Sequence, residues 1–357
     1  MLKKLVNECK INITIATEGP LLIKSGYSTP FGSDMTPVVT YKNGQPQVYI
    51  PGSSIKGVFR SHMEMISRSI NDLAVCDPFF TYEKENPSAG NKWNDETYRS
   101  VFCGEKFKAL KNIWQEQASN ILNNKFTYRN SCLACRLFGS TFYTGRLFFN
   151  DAYLKDPGIS GNPVERRDCV GLDRFSGGVI SGPFDLEAIR SGVEFETELY
   201  LRNYEAWQLG ALLMIIKDLK DGFIRFGMGS SRGLGKVSGR VNRFWLAYLE
   251  PLVKDMNHNE IWGLGKFLVN GEYGTNAEDI IKIEEDLPYQ SIGLRKEFFV
   301  ETQQESEEND ALSDNDGLNS IVSSLENPAI KVYVDEIQSQ EAKEQMSYSY
   351  LNEQGTA

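Results

Sequence analysis

The sequence predicts an α+β fold in which strands and helices interleave, and three observations carry that reading. Cys9–Ile15 alternates polar and apolar side chains at period two, the pattern of a half-buried strand. Val48–Ile50, a Pro51-Gly52-Ser53-Ser54 turn and a helix through Met63 give strand, turn and helix in succession. A second strand, helix, glycine-rich loop and strand run from Val193 to Val241. A β–loop–α–β unit is thus expected twice, around 10–70 and around 193–245.

Taken in order, residues Gly19–Thr36 are rich in Gly, Ser, Thr and Pro and read as an exposed loop carrying Lys24 and, at its tip, Asp34. Val38–Tyr41, an Asn43-Gly44 turn and Val48–Ile50 form a hairpin, because Asn-Gly supplies the positive φ of a tight turn. In the helix that follows, Ser53 or Ser54 is placed to cap, and Lys56 and Arg60 flank free backbone amides, a geometry suited to anions. Met63, Ile66 and Ile70 keep helical spacing until Cys76-Asp77-Pro78 breaks it. Residues 79–131 are polar and mixed and read as an insertion with one helix at Lys106–Leu122. Gly145–Ala152 reads as an apolar strand, Gly161–Gly182 as a projecting hairpin, and Trp207–Leu219 as a buried helix. Residues 246–300 pack back on the body. Beyond Glu301 large apolar residues are few and disorder is expected, with a short strand or a docking segment at Ala329–Ile337.

Composition narrows the function. No run approaches the roughly 18 apolar residues of a membrane span, and the first residues lead into a strand rather than a signal peptide, which points to a cytosolic protein. The net charge is −10, but residues 301–357 hold 13 acidic and 2 basic residues, leaving 35 acidic and 36 basic in the preceding 300. A nearly neutral body of this kind is compatible with a basic groove.

Three constellations carry chemistry. His62, Cys76 and the Cys132-x-x-Cys135 knuckle offer four borderline or soft ligands for a closed, structural zinc site, with Cys103 a rival for the Cys76 place. The glycine-rich loop 227–236 is no triphosphate-binding loop, since five residues separate Gly229 from Gly235 and Val237 stands where a hydroxyl would hold magnesium. It offers instead a close backbone approach, with Arg232 and Lys236 to meet phosphate. The third is Asp34, a lone carboxylate on a Gly/Ser/Thr loop whose ordinary role is to form a turn; with only His62 and His258 in the chain, histidine acid–base chemistry is disfavoured.

Five motifs in series resemble the RAMP superfamily, and more closely the repeated backbone subunit of type III CRISPR effector complexes. They are PGSSIKGVFR (51–60), CLACRLFGS (132–140), GRLFFNDA (145–152), GLDRFSGG (171–178) and the loop 227–237. The resemblance implies a ferredoxin-like, RNA-recognition-motif-like core over residues 1–245, with a thumb hairpin near 161–192, a zinc-stabilised insertion and a C-terminal extension. It implies that Ser53, Ser54, Lys56 and Arg60 hold guide-RNA phosphates with help from Lys24, Arg232 and Lys236, and that Arg174 and Phe175 lie in a thumb that wedges between bases. It further implies that Asp34 cuts guide-paired target RNA with Mg2+ or another divalent metal, among sibling subunits. A purely structural RNA-binding subunit is the alternative; a guide-processing ribonuclease is disfavoured for want of histidine or tyrosine acid–base groups. The reading expects the two junctions, at Lys56 and at Arg232, to line one trough.

Overall fold

A computed structural model describes residues 3–26, 33–42, 44–78, 102–114, 123–156, 162–269, 272–284, 286–301 and 316–342. Parts of the predicted loop (27–32), Asn43 of the hairpin turn, much of the insertion (79–101 and 115–122) and the tail segments 302–315 and 343–357 lie outside the described residues.

Strand β1 (Asn7–Thr17) opens the chain, followed by the hairpin β2 (Val39–Lys42) and β3 (Gln45–Ile50) and by helix α1 (Gly52–Ile70). The insertion contributes α2 (Cys103–Trp114) and α3 (Asn124–Arg129), and the knuckle opens α4 (Leu133–Phe138). Strands β4 (Leu147–Phe149) and β5 (Ala152–Leu154) lead to the projecting hairpin of β6 (Val164–Leu172) and β7 (Val179–Ile189). Then come β8 (Glu194–Arg202), α5 (Ala206–Lys220) and β9 (Val237–Leu249). The hairpin β10 (Tyr289–Ile292) and β11 (Arg295–Glu301) and the helix α6 (Asp316–Ala342) complete the described chain.

Nine strands form one sheet in the order β10-β11-β9-β1-β8-β5-β3-β2, with β4 also pairing β8, and every described pairing is antiparallel. At its centre β1 is flanked by β8 and β9, so the two predicted units interlock rather than stand side by side. Alternation decides the faces: Cys9, Ile11, Ile13 and Ile15 are buried under helices, while Lys10 and Asn12 point the other way. On the covered face α1 lays down Ile55, Phe59, Met63 and Ser67, a stripe of every fourth residue. Helix α5 is apolar nearly all round because it is covered on both sides, by the sheet and by α6.

Helix α6 departs from the expectation of a disordered tail. Leu325, Ala329, Tyr333 and Ile337 recur every four residues and are all buried, giving this part of the acidic tail one apolar stripe. The Tyr333 hydroxyl shares a 2.7 Å hydrogen bond with Ser67 Oγ, and Asn71 Nδ2 donates to the Ile337 carbonyl at 3.2 Å. Gly210 is required at the crossing, since a Cβ there would stand 2.0 Å from the Ala329 carbonyl oxygen.

Candidate nucleic-acid interface and metal centre

The four thiols of Cys76, Cys103, Cys132 and Cys135 converge so that their sulfur atoms all lie within 4.8 Å of one another. Among the described residues this is the one group of three or more His, Cys, Asp or Glu ligands that close together. A tetrahedron with metal–sulfur bonds of about 2.3 Å has edges of about 3.8 Å. The Cys76–Cys135 and Cys76–Cys132 sulfur separations are 3.8 and 3.5 Å, and none of the four is in a disulfide. The donor set therefore fits a closed tetrathiolate zinc site, which, when loaded, cross-links the insertion to the end of α1 and supplies no reactive position.

Cys103, the rival ligand, takes the fourth place alongside Cys76, and His62 is the ligand to be corrected. Its ring Nε2 meets Asp218 Oδ2 on α5 at 2.6 Å, so His62 ties α1 to α5 instead. The helix explains the change: His62 lies two residues beyond Arg60, about 200° round α1, so Arg60 faces the knuckle and His62 faces α5. Hydrogen bonds from the other three thiols, that of Cys132 first, push the Cys103 thiol well below its ordinary pKa. Arg60 serves this centre too, donating from Nη2 to Cys135 Sγ at 3.4 Å, from Nη1 to the Gly139 carbonyl at 3.2 Å, and from Nε to Glu64 at 2.8 Å. Arg60 is thus committed within the fold. Behind the knuckle, Arg136 Nη2 donates to both carboxylate oxygens of Glu205, at 2.7 and 2.5 Å, and both side chains are only 5% exposed.

The start of α1 is also more occupied than its sequence implies. Pro51 is the cap residue, Ser53 and Ser54 fall inside the first turn, and no side chain caps from that position. The Gly52 amide is instead taken by Asp151 Oδ1 at 2.7 Å, placing a carboxylate at the positive end of the helix. Lys56 is half-buried, and burial first, then the charge of Arg60, hold its ammonium below its usual pKa. A phosphate beside it would relieve that penalty.

A second locality forms at the far side of the sheet, where the glycine-rich loop, the loop after β1 and the root of the β6–β7 hairpin meet. Leu22, Leu186, Ala188 and Leu234 make a small buried cluster with Met35, Cys169 and Met228 against it. Gly235 has φ +79°, its amide donates to the Pro20 carbonyl at 2.7 Å, and a Cβ would stand 2.1 Å from the Phe226 carbonyl oxygen. On this platform Arg232 and Lys24 are exposed, while Lys236 pairs with Glu18 at 2.7 Å across open solvent. Asp34 is exposed on the same platform, beside Asp185 of β7.

The hairpin projects from there with a defined tip. Asp173 accepts from the amides of Phe175 and Ser176 at 3.1 and 3.3 Å and from the Ser176 hydroxyl at 2.6 Å; these bonds, the hydroxyl's first, hold its carboxyl below the usual range. The turn presents Arg174 and a fully exposed Phe175, with Leu172, Val179 and Ile180 also exposed behind it. The structure thus gathers Asp34, Lys24, Arg232, Lys236 and the hairpin root, and leaves Ser53, Ser54 and Lys56 at another place. Strand β3, which feeds α1, is four strands from β9, about 19 Å across the sheet. The two junctions thus form two localities, which an extended ligand could span.

A family model for the RAMP superfamily matches residues 14–238. The chain belongs to the RAMP superfamily. The match covers the sheet core, the knuckle, the hairpin and the glycine-rich loop. Membership points to a CRISPR-associated, RNA-binding protein of a superfamily in which some members are ribonucleases. No curated protein matches the sequence. Among the described residues, no helix is long and apolar enough to cross a membrane. Two polar groups that matter here were not singled out as site residues: Asp151, inside the motif GRLFFNDA, and Asp185, on β7; only the fold brings them to α1 and to Asp34.

Proposed function

We propose that this RAMP protein is a guide-RNA-binding backbone subunit of a type III CRISPR effector complex and that its Asp34 cleaves guide-paired target RNA. The observation that carries the reading is the small apolar cluster that holds the Asp34 loop, the root of the projecting hairpin and the glycine-rich loop together. That arrangement puts a carboxylate, unpaired cations and an exposed aromatic tip along one path. The core is ferredoxin-like: β1, α1, β4–β5, β8, α5 and β9 run in the β-α-β-β-α-β order, with the fourth, first, third and second strands adjacent. Guide phosphates are met by Arg232, Lys236 and Lys24 at one locality and by Lys56, Ser53 and Ser54 at the other, with no sequence readout, since pairing to the guide supplies specificity. Arg174 and Phe175 enter the paired strand as a wedge. Neighbouring subunits complete the groove, and the tetrathiolate site holds zinc.

In the cleavage step the Asp34 carboxylate takes the proton of a target 2′-hydroxyl as its oxygen attacks the adjacent phosphorus. The bond to the 5′-oxygen breaks, leaving a 2′,3′-cyclic phosphate on one fragment and, after protonation, a 5′-hydroxyl on the other. A divalent ion, when bound, would neutralise charge on the phosphate; here the protein offers it Asp34 with only Asp185 alongside, so RNA oxygens would complete its shell. The test is the assembled complex with labelled matched RNA and Mg2+. Asp34→Ala is expected to keep assembly and target binding and to abolish the cut made at this subunit. Undiminished cutting by that variant would leave the purely structural RNA-binding role.

A further inference from the structure

Among the described residues, the loop that carries Asp34 is tied within itself at Ser25–Thr36 and Ile23–Val38, and is tied further to β7. After β1 the chain is laid along β7, the inner strand of the hairpin, and fastened to it on both limbs. On the outgoing limb Leu21 and Ile189 exchange two backbone hydrogen bonds of 2.8 Å. On the returning limb the Glu187 amide donates to the Met35 carbonyl at 2.8 Å and the Ser33 hydroxyl donates to Glu187 Oε1 at 3.1 Å. Between these ties two aspartates clasp each other's backbone. The Asp34 amide donates to Asp185 Oδ1 at 3.4 Å, and the Asp185 amide donates to Asp34 Oδ2 at 3.3 Å. Each bond is long and weak alone. Together they fix the direction of the Asp34 carboxylate and leave its Oδ1 facing outward, with no hydrogen-bond partner among the described residues.

Bringing two carboxylates together costs energy unless something offsets the repulsion. Here Arg166, on the neighbouring strand β6, reaches Asp185 Oδ2 with Nη2 at 3.0 Å. The nearby Ser33 hydroxyl first, then the Asp34 amide and the Arg166 charge, hold the Asp185 carboxyl below its ordinary range. The exposures fit a division of labour: Asp185 has a side chain 18% exposed, whereas Arg166 is 66% exposed and Asp34 lies open. The inner carboxylate is the support and the outer one is free to work.

We infer that Asp185, oriented by Arg166, is a positioning residue for Asp34, and that it couples the cutting carboxylate to the root of the hairpin. This rests on the reading of Asp34 as the cleaving residue. The hairpin then has two tasks on one strand: Val179 begins β7 beside the base-wedging tip, and Asp185, six residues on and about 20 Å away, sets the carboxylate. A displacement of the hairpin root would carry Asp185 away from Asp34 and misdirect its carboxylate, so the wedge and the cut share one strand.

The experiment uses the assembled complex with matched labelled RNA and compares Asp185→Ala, Asp185→Asn and Asp34→Ala over a Mg2+ titration. Asp185→Ala is expected to keep target binding and to slow this subunit's cut roughly 10- to 100-fold, the usual cost of a small misplacement, while raising the half-saturating Mg2+ concentration. Asp185→Asn keeps an acceptor oxygen and the backbone donor, so it should recover most of the rate. If Asp34→Ala stops the cut while Asp185→Ala cuts at the normal rate, the positioning role is overturned and the cleavage reading stands. Loss of target binding by Asp185→Ala, or an unshifted Mg2+ dependence with reduced rate, makes Asp185 a structural residue and also overturns it. If Asp34→Ala itself cuts normally, both readings fall.

Discussion

The cysteine side of the molecule and the hairpin side use the same residue types to opposite ends. Around the knuckle, cations are consumed: Arg60 is divided among Glu64, Gly139 and Cys135, and Arg136 is buried against Glu205. Around the glycine-rich loop, Arg232, Lys24 and Arg174 are exposed, and Lys236 has only a solvent-facing partner. A buried pair is costly to break, whereas an exposed pair is weak and readily exchanged for phosphate. The contrast teaches that a basic residue in a recognised motif binds RNA only if the fold has not already given it a partner.

The comparison can be broken most sharply at the metal centre. Cys103→Ser should lower zinc to well under one per chain, and with it several kcal/mol of stability; His62→Ala should retain the metal and lose only about 1 kcal/mol with the Asp218 pair. Elemental analysis and thermal unfolding of the two variants decide this; zinc loss in the histidine variant alone would reverse the assignment. Next in size is the buried side of the tail. Tyr333→Ala should cost about 3–5 kcal/mol and Tyr333→Phe about 1, the latter removing only the bond to Ser67.

Arginine replacements sharpen the contrast directly. Arg232→Ala should weaken guide-RNA binding uniformly across sequences and reduce the salt dependence by about one phosphate contact, as read from affinities at several salt concentrations. Arg60→Ala should leave that slope unchanged and instead make zinc easier to remove with a chelator. The smallest effect concerns Asp279, which accepts from the Ala206 and Gly265 amides and whose pKa is raised to about 7, by burial first and then by the Glu205 charge. A carboxyl raised in the fold favours folding while protonated, so its contribution is complete below about pH 4 and is lost as pH rises through 7. Asp279→Asn should flatten that part of the stability profile, which unfolding curves at pH 5 and pH 8 would show.

Much of the sheet was legible because its patterns are local. Alternation gave β1 and β8, the turn chemistry gave the entry to α1, and the uniform apolarity of residues 207–219 marked α5 as buried. Partnerships across long separations were not legible. The sequence offered Cys103 only as a rival for the Cys76 place, and it is tertiary packing that brings both to the knuckle in place of His62. Arg60 shares a face of α1 with Lys56, yet lying one turn further along the helix brings it within reach of Cys135. Asp185 reaches Asp34 across 151 residues, and no window of sequence contains both. The tail misled for another reason: its average composition is acidic, but four apolar residues at helical spacing suffice for one stripe.

That stripe bears on any attempt to work with a shortened chain. Ending the protein at Glu301, which the acidic composition invites, would uncover the groove between α1 and α5 that Leu325, Ala329, Tyr333 and Ile337 fill. The product would carry a continuous oily surface and a bare Gly210 ridge, and would be prone to clump before any partner RNA reached it.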